Sequence, residues 1–246
     1  MTKRRADQLL VDQGLAESRA KGQALILAGL VSAAGRRVDK PGTALDENTA
    51  LALAGRDHPW ASRGGLKLAF ALDRFGIDPT GLVALDVGAS TGGFTDVLLA
   101  HGAARVHAVD VGRGQLAWKL RQDPRVVVHE GINARYLTRA EIAEPINLIV
   151  CDASFIGLET ILPAPLSLAG ERAMLIALIK PQFEAGPRQV GKGGVVRDPS
   201  VHQAVCERIA AWLGGRPGWS VVGVAESPVL GPAGNREFLI YANRST

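Results

Sequence analysis

Short apolar segments alternate with helical segments from residue 82 onward, and this alternation constrains the fold more than any other feature of the chain. Amphipathic stretches at 94–100, 115–121 and 201–213 show helical spacing. Strands that are joined through helices pair in parallel and are covered on both faces. The sequence therefore predicts an α/β domain of Rossmann-like fold. Its apolar runs are 82–87, 106–111, 126–129, 146–151 and 173–179.

The last two predicted strands differ in direction from the others. Residues 220–225 and 238–242 are joined by a Pro- and Gly-rich stretch that is too short for a crossover helix. We therefore expect them to pair antiparallel. The second of them then begins at the edge of the sheet where the parallel strands end, which gives a mostly parallel sheet of seven strands.

The first 58 residues have a different pattern. Apolar residues recur at helical spacing in two short stretches, with Gly14 and Gly29 as stop signals and Ser18 as the N-cap of the second stretch. Residues 31–38 indicate two short strands about an Ala-Gly turn. We expect a small α+β domain at 1–58, a linker and helix at 59–81, and the α/β domain at 82–246.

Composition excludes several classes of protein. The chain of 246 residues is 47% hydrophobic and 21% charged, which is typical of a globular protein and not of a disordered or fibrous one. Two cysteines are too few for a disulfide framework and lack zinc spacing, which favours a cytoplasmic protein without a metal. No secretory signal or apolar run of about 20 residues is present, so we expect no membrane partner.

A glycine-rich loop at 86–94 follows the first strand of the α/β domain. In doubly wound sheets this turn lies where ligands bind. Its glycines do not fit the dinucleotide pattern, which argues against a nicotinamide oxidoreductase. The loop instead suits the amino-acid end of S-adenosylmethionine, because a carboxylate meets loop amides while an ammonium meets Asp86. Asp110, at the end of the second strand, is placed to bind both ribose hydroxyls.

Ionisable residues cluster at the same predicted edge of the sheet. Asp152 and Lys180 each follow a parallel strand, and Glu237 precedes the antiparallel one. Lys67 lies on a predicted helix at 65–75 that can cover this edge. Any one of these residues is more often structural than functional. Their convergence from distant parts of the sequence favours a catalytic site.

Basic residues are grouped in the first domain, in a chain with a net charge of +4. They stand at the starts of the predicted helices and around the hairpin, where they can line a surface that faces phosphates. The alternative is a solvated charged face, since acidic residues are interspersed. Residues 184–199 indicate either a basic loop over the active-site edge or a plain mobile loop. The candidate RNA-binding residues are Arg4, Arg5, Arg19, Lys21, Arg36, Arg188 and Lys192.

Motifs in both domains resemble those of known families. The first domain contains Arg5-Ala6-Asp7, Gly14-Leu15, Ser18-Arg19, Leu25-Ile26, Gly29-Leu30-Val31 and Lys40-Pro41. These motifs resemble those of an S4 RNA-binding domain, with Ala34 where the hairpin usually has Asn. The second domain contains the loop at 86–94, Cys-Asp-x-Ser-Phe at 151–155, Leu-Ile-Lys-Pro-Gln-Phe-Glu at 178–184 and Arg-Glu-Phe at 236–238. It is similar in these motifs to the TlyA-type (hemolysin A-like) ribosomal RNA 2′-O-methyltransferases of the FtsJ-like group.

This resemblance implies S-adenosylmethionine-dependent methylation of ribose 2′-hydroxyls in ribosomal RNA or ribosomal subunits, at cytidines of the 16S or 23S RNA. Asn133 matches a position on the adenine side of the cofactor, although Ile132 replaces the usual Thr. The catalytic residues that it implies are Lys67, Asp152, Lys180 and Glu237. The cofactor-binding residues that we expect are Asp86, Gly88, Ser90, Gly92, Gly93, Phe94, Asp110, Asn133 and Asp152.

Two mechanisms and two other functions stay open at this point. Lys180 accepts the hydroxyl proton if burial and Lys67 favour its neutral amine, whereas Asp152 and Glu237 favour the ammonium, which orients the hydroxyl and stabilises charge. A non-catalytic S4-type RNA-binding protein is one alternative function. A pore-forming hemolysin is the other, and the absence of a spanning segment disfavours it.

Overall fold

A computed structural model describes residues 3–16, 18–53 and 58–245 of the chain. Its backbone contacts divide the chain into two units, Met1–Pro59 and Trp60–Thr246. Each unit has an apolar cluster of its own, and the candidate catalytic residues all belong to the second unit.

The described residues of the N-terminal unit form two helices and two small antiparallel sheets. Gly14 and Gly29, which follow the two helices, have φ values of +69° and +73°, and the Ser18 hydroxyl accepts the Lys21 N–H at 3.2 Å. The predicted stop signals and N-cap are thereby confirmed. The helices are α1 (Ala6–Asp12) and α2 (Arg19–Leu27). The strands are β1 (Lys3–Arg5), β2 (Val31–Ala33), β3 (Arg36–Arg37), β4 (Ala44–Asp46) and β5 (Leu51–Leu53), in the orders β1-β4 and β3-β2-β5.

The turn between β2 and β3 keeps its hairpin geometry although Ala34 stands where Asn is usual. Ala34 and Gly35 have φ values of +47° and +76°, as a type I′ turn requires. A left-handed alanine costs roughly 1–2 kcal/mol. The strand pairing on both sides of the turn therefore outweighs this local strain.

A sheet of seven strands forms the C-terminal unit, in the order β11-β12-β10-β9-β6-β7-β8. All pairings among β6 to β10 are parallel, and β12 is antiparallel to both β10 and β11. The prediction of a mostly parallel Rossmann-like sheet is confirmed. The strands are β6 (Val83–Val87), β7 (Arg105–Asp110), β8 (Val126–Glu130), β9 (Ile146–Cys151), β10 (Ala169–Ile179), β11 (Trp219–Glu226) and β12 (Phe238–Ser245).

Helices cover both faces of this sheet, and alternate strand residues supply the two apolar layers. Leu85 and Ile149 belong to the layer that includes Ile209 of the longest helix, whereas Ala84 and Leu148 belong to the layer that includes Leu68 and Val97. The helices are α3 (Gly64–Phe75), α4 (Gly93–Ala100), α5 (Trp118–Arg121), α6 (Leu158–Ile161), α7 (Pro163–Ser167), α8 (Pro181–Glu184) and α9 (Pro199–Gly214).

Two predicted starts in the α/β domain differ from the structure by three residues or more. The helix predicted at 115–121 begins only at Trp118, because the backbone of Ala117 is non-helical, with a ψ of 138°. The Ala117 N–H donates to the Thr91 carbonyl at 3.2 Å. The strand predicted at 173–179 begins at Ala169, since Ala169 already pairs with Ile146 before a shift in register. Neither error moves the edge of the sheet where the parallel strands end.

Candidate active site

The glycine-rich loop joins β6 to α4 at the edge where the parallel strands end. Gly88 has a φ of +83°, and a Cβ there would lie 3.0 Å from backbone atoms of Ala153. The amides of Gly88 and Ala89 both donate to the Val109 carbonyl, at 2.9 and 3.1 Å. Only glycine therefore fits at this crossing of two loops.

Asp110 at the end of β7 fastens this loop to the neighbouring strand. Its Oδ2 accepts the Ser90 N–H at 2.8 Å, and its Oδ1 accepts the Gly112 N–H at 2.7 Å. Ser90 itself has a φ of +47°. Each carboxylate oxygen keeps a second lone pair for a hydroxyl donor, so Asp110 can hold the loop and still bind ribose hydroxyls. Asn133, after β8, accepts the Arg135 N–H at 3.1 Å and caps a short 3-10 helix, Ala134–Tyr136.

The last three residues of the loop pack against protein. A Cβ at Gly92 would lie 2.3 Å from a methyl group of Leu120, and one at Gly93 would lie 2.3 Å from the Ser62 hydroxyl. Phe94 belongs to the apolar core. The sequence placed a ligand against this loop, whereas at 92 and 93 the atoms that come close are those of the protein. Cofactor contact by these residues stays a prediction.

Asp86 is wholly buried at the end of β6. Its Oδ2 accepts a hydrogen bond from the Thr95 hydroxyl at 2.7 Å, and its Oδ1 has no hydrogen-bond partner in the described part of the chain. Burial raises the pKa of Asp86 to about 7; the Thr95 hydrogen bond opposes this rise and the charge of Asp152 adds to it. An orphaned carboxylate oxygen behind the loop fits a cationic ligand group.

Four ionisable side chains meet beside this loop. Lys67 on α3 lies 2.6 Å from Glu237, measured from Nζ to Oε2, and Lys180 Nζ lies 2.7 Å from Asp152 Oδ1. Lys67 Nζ is also 3.8 Å from Asp152 Oδ2, which joins the two pairs into one chain of charges. The structure thus brings together all four residues that the sequence placed at this edge.

Two polar side chains of this cluster escaped the sequence analysis. The Lys180 ammonium donates to the Ser154 hydroxyl at 2.9 Å and to the Asp152 carbonyl at 3.1 Å. Gln182 Nε2 lies 3.4 Å from Glu237 Oε1. Both residues stand within the quoted motifs, two positions after Asp152 and Lys180, so the motif spacing was the available signal.

An exposed aromatic residue stands next to the charged cluster. Phe155 is 88% exposed, has a φ of +64°, and its ring centroid lies 5.0 Å from that of Phe183. A bulky residue in the left-handed region is a strained conformation that clusters at functional sites. Phe155 therefore belongs to the candidate site, although the sequence analysis gave it no role.

The basic residues of the N-terminal unit fall into two groups. Arg5 makes a bidentate contact with the buried Asp7, at 3.0 and 2.9 Å, and Arg19 donates to the same carboxylate at 3.0 Å. The Arg5 hydrogen bonds, above all, hold the pKa of Asp7 well below its usual range. Arg5 and Arg19 thus stabilise the unit itself. The exposed Lys21 and Arg36 project from the surface.

Three other candidate RNA-binding residues are also exposed. Arg4 lies 3.6 Å from Asp12. Arg188 is on a short 3-10 helix, Pro187–Gln189, and Lys192 follows it. The side-chain amide of Asn235 anchors the end of their segment, since it donates to the Gly194 carbonyl at 2.9 Å and accepts the Val196 N–H at 3.1 Å.

Within the described ranges, no helix has both the length and the apolar character that a bilayer crossing requires. The same ranges hold no group of three or more side chains that would suit a metal ion.

The sheet order and the ligand loop define the class of protein to which this chain belongs: it has the fold of S-adenosylmethionine-dependent methyltransferases. The N-methyltransferase NodS from Bradyrhizobium japonicum shares this fold at a TM-score of 0.50, over 75% of this chain and 95% of its own, with 16% sequence identity. The chain belongs to the FtsJ-like methyltransferase family, whose model matches residues 60–244, and an S4 domain model matches residues 4–51.

Relatives match nearly the whole chain. It is 48% identical to the 16S/23S rRNA (cytidine-2′-O)-methyltransferase TlyA of Mycobacterium tuberculosis over 243 residues. This match covers 98% of this chain and 90% of that protein. It is 37% identical to Hemolysin A of Brachyspira hyodysenteriae, over 96% of this chain and 98% of that one. A solved Streptococcus thermophilus structure that carries a hemolysin name has a TM-score of 0.76 at 44% identity, over 100% of this chain and 90% of that chain. The resemblance inferred from the motifs is confirmed.

Proposed function

We propose that this protein transfers the methyl group of S-adenosylmethionine to a ribose 2′-hydroxyl of ribosomal RNA. The observation that carries the proposal is the chain of charges from Glu237 through Lys67 and Asp152 to Lys180, beside a glycine-rich ligand loop. The name of the Mycobacterium tuberculosis relative supports a cytidine of 16S or 23S RNA as the target.

The residues around the loop fit this cofactor. The loop leads into the N-terminus of α4, which favours a ligand carboxylate, and the Oδ1 of Asp86 that has no partner in the described chain is a site for the ligand ammonium. Asp110 would hold the ribose hydroxyls, and Asn133 would lie on the adenine side. When bound there, S-adenosylmethionine supplies a methyl group that is activated by its attachment to a sulfonium.

Lys180 would orient the target hydroxyl. Its Nζ donates two hydrogen bonds, to the Asp152 carbonyl and the Ser154 hydroxyl, and lies 2.7 Å from Asp152 Oδ1. An ammonium has three N–H donors, so one of them is available to the target hydroxyl. The acceptors and the nearby carboxylate stabilise the charged form of Lys180. Of the two mechanisms left open by the sequence, they favour orientation and charge stabilisation.

Asp152 is then the group that receives the hydroxyl proton. Its side chain is 20% exposed, whereas that of Glu237 is fully buried, so a bound hydroxyl can reach only the former of these two carboxylates. Its Oδ2 faces Lys67 at 3.8 Å and keeps capacity for a donor. Lys67, which is held by Glu237, keeps the Asp152 carboxylate in place.

The exposed surfaces suit RNA. Stacking of a base on an exposed ring such as Phe155 is worth about 1–3 kcal/mol and occurs with any base. Lys21 and Arg36 would add contacts to phosphates, which are independent of sequence.

The test is methyl transfer to ribosomal subunits from cells that lack the protein, with ribose methylation mapped by nucleotide position. Lys180→Ala should lower the single-turnover rate by about 10²-fold or more, with nearly unchanged affinity for S-adenosylmethionine. Lys180→Arg keeps a charge and hydrogen-bond donors, so it should retain more activity than the alanine variant. Equal rates for Lys180→Ala and the wild type would reject the role of Lys180. Binding of RNA with no methylation by the wild type would reject the proposal in favour of a non-catalytic RNA-binding protein.

A further inference from the structure

The segment 180–184, which runs from Lys180 through α8, contacts the loop 152–158 at both ends and in the middle. The contacts occur in the same order along both segments, so the two segments pack side by side along their length. The three contacts are an ion pair of Lys180 with Asp152 at 2.7 Å, a ring contact of Phe183 with Phe155 at 5.0 Å, and a hydrogen bond from the Leu158 N–H to Glu184 Oε1 at 2.7 Å.

Glu184 takes the place of an N-cap for α6. The residue before this helix is Gly157, which has no side chain to accept an N–H of the first turn. Glu184 Oε1 accepts the Leu158 N–H instead, and a Cβ at Gly157 would lie only 3.1 Å from Glu184 Oε2. The glycine therefore makes room for a cap that comes from another segment.

Arg208 on α9 holds Glu184 in this position. One guanidinium nitrogen donates both to Glu184 Oε2 and to the Glu184 carbonyl, each at 3.0 Å, and another contacts Glu159 on α6. The Glu184 side chain is 4% exposed and that of Arg208 is 44% exposed, so the carboxylate is buried while water partly screens the pair from the arginine side. Arg208 thus links α6, α8 and α9 through one side chain.

We propose that Glu184 and Arg208 form a clamp that positions Lys180 and Asp152 for methyl transfer. Neither clamp residue is a catalytic residue. Lys180 and Glu184 lie at opposite ends of the single turn of α8, so a displacement of Glu184 is transmitted to Lys180. A misplacement of about 1 Å costs on the order of 10²-fold in rate. The inference rests on the proposed function, because the clamp acts through Lys180.

The first test compares methyl-transfer rates of three clamp variants. Glu184→Ala and Arg208→Met should each lower the single-turnover rate by about 10-fold to 10²-fold, while the dissociation constant of S-adenosylmethionine changes less than about 2-fold. Glu184→Gln keeps an acceptor for the Leu158 N–H and should lose less. Glu207→Gln, an exposed change next to Arg208, is the matched control and should leave the rate unchanged. Wild-type rates in both Glu184→Ala and Arg208→Met would overturn the clamp.

A double-mutant cycle separates positioning from a general structural role. If the clamp acts through Lys180, Glu184→Ala should have less than about a 2-fold effect in a Lys180→Ala background, where no side chain is left to position. The same fold-loss in both backgrounds would show that Glu184 acts independently of Lys180 and would refute the inference.

Amide hydrogen exchange provides a readout that does not need activity. In Glu184→Ala, peptides that cover 152–158 should exchange at least about 10-fold faster than in the wild type, while peptides that cover 86–94 should not change. Unchanged exchange at 152–158 would overturn the clamp, whatever the methyl-transfer result. A wild-type protein that fails to methylate RNA but shows the faster exchange in this variant would refute the proposed function and leave the clamp standing.

Discussion

The buried carboxyl of Asp86 should make the stability of the C-terminal unit depend on pH, and Asp86→Asn should remove that dependence. Asparagine has nearly the same shape and still offers an oxygen to the Thr95 hydroxyl, which bonds the wild-type carboxylate at 2.7 Å. It has no proton to lose, so the cost of burying a charge disappears. The variant therefore isolates the titration of one group.

The magnitude follows from the pKa. Burial raises the pKa of Asp86 from 3.8 to about 7, so the folded state binds the proton more tightly than the unfolded state does. The stabilisation by that proton is complete below pH 3.8 and is lost as the pH rises to 7. At about 1.4 kcal/mol per pKa unit, the shift of about 3 units corresponds to roughly 4 kcal/mol. Relative to the wild type, Asp86→Asn should gain stability as the pH rises.

Urea unfolding at several pH values between 4 and 8, without ligand, measures this difference. All four tryptophans lie at or after residue 60, so their fluorescence follows the C-terminal unit within the full chain. The free energy of unfolding of Asp86→Asn minus that of the wild type should rise by about 3–4 kcal/mol across this range. A difference that stays constant with pH, or that falls as the pH rises, would refute the account of Asp86 as a buried group with a raised pKa.

Three further predictions concern other parts of the chain. Asp110→Ala should weaken S-adenosylmethionine binding by at least about 1.5 kcal/mol in a calorimetric titration, through loss of charge-assisted hydrogen bonds; unchanged affinity would exclude ribose contact. Arg36→Gln should lower the affinity for ribosomal RNA and reduce the slope of that affinity against salt by about one, whereas an unchanged slope would show that Arg36 contacts no phosphate. Arg5→Gln should instead lower the melting temperature of the N-terminal unit, and more so at pH 7 than at pH 3, because the lowered pKa of Asp7 gives a stabilisation that is lost on acidification.

The sequence predicts the path of the backbone at the site better than the partners of its side chains. Strand direction follows from the lengths of the connections, so the sequence predicts that β12 is antiparallel to its neighbours. It therefore also predicts that Glu237, which precedes β12, lies at the edge where the parallel strands end. The pairing of Arg5 with Asp7 was missed, because local charge patterns do not tell a solvated arginine from one that neutralises a buried acid. The protein contacts of Gly92 and Gly93 were missed for a different reason, since they depend on residues distant in the chain, Leu120 and Ser62.

The 170 positions that separate Lys67 from Glu237 link the candidate site to the order of folding. Contacts between residues so distant in sequence form late, because the loop that joins them must close first. An intermediate in which β6 to β10 have paired lacks β12, so it has an unprotected edge at β10, and Glu237 is not beside Lys67. Such a species resembles the native protein in most of its secondary structure and still lacks one of its four clustered charges. Recovery of activity during refolding should therefore lag behind recovery of the circular dichroism signal.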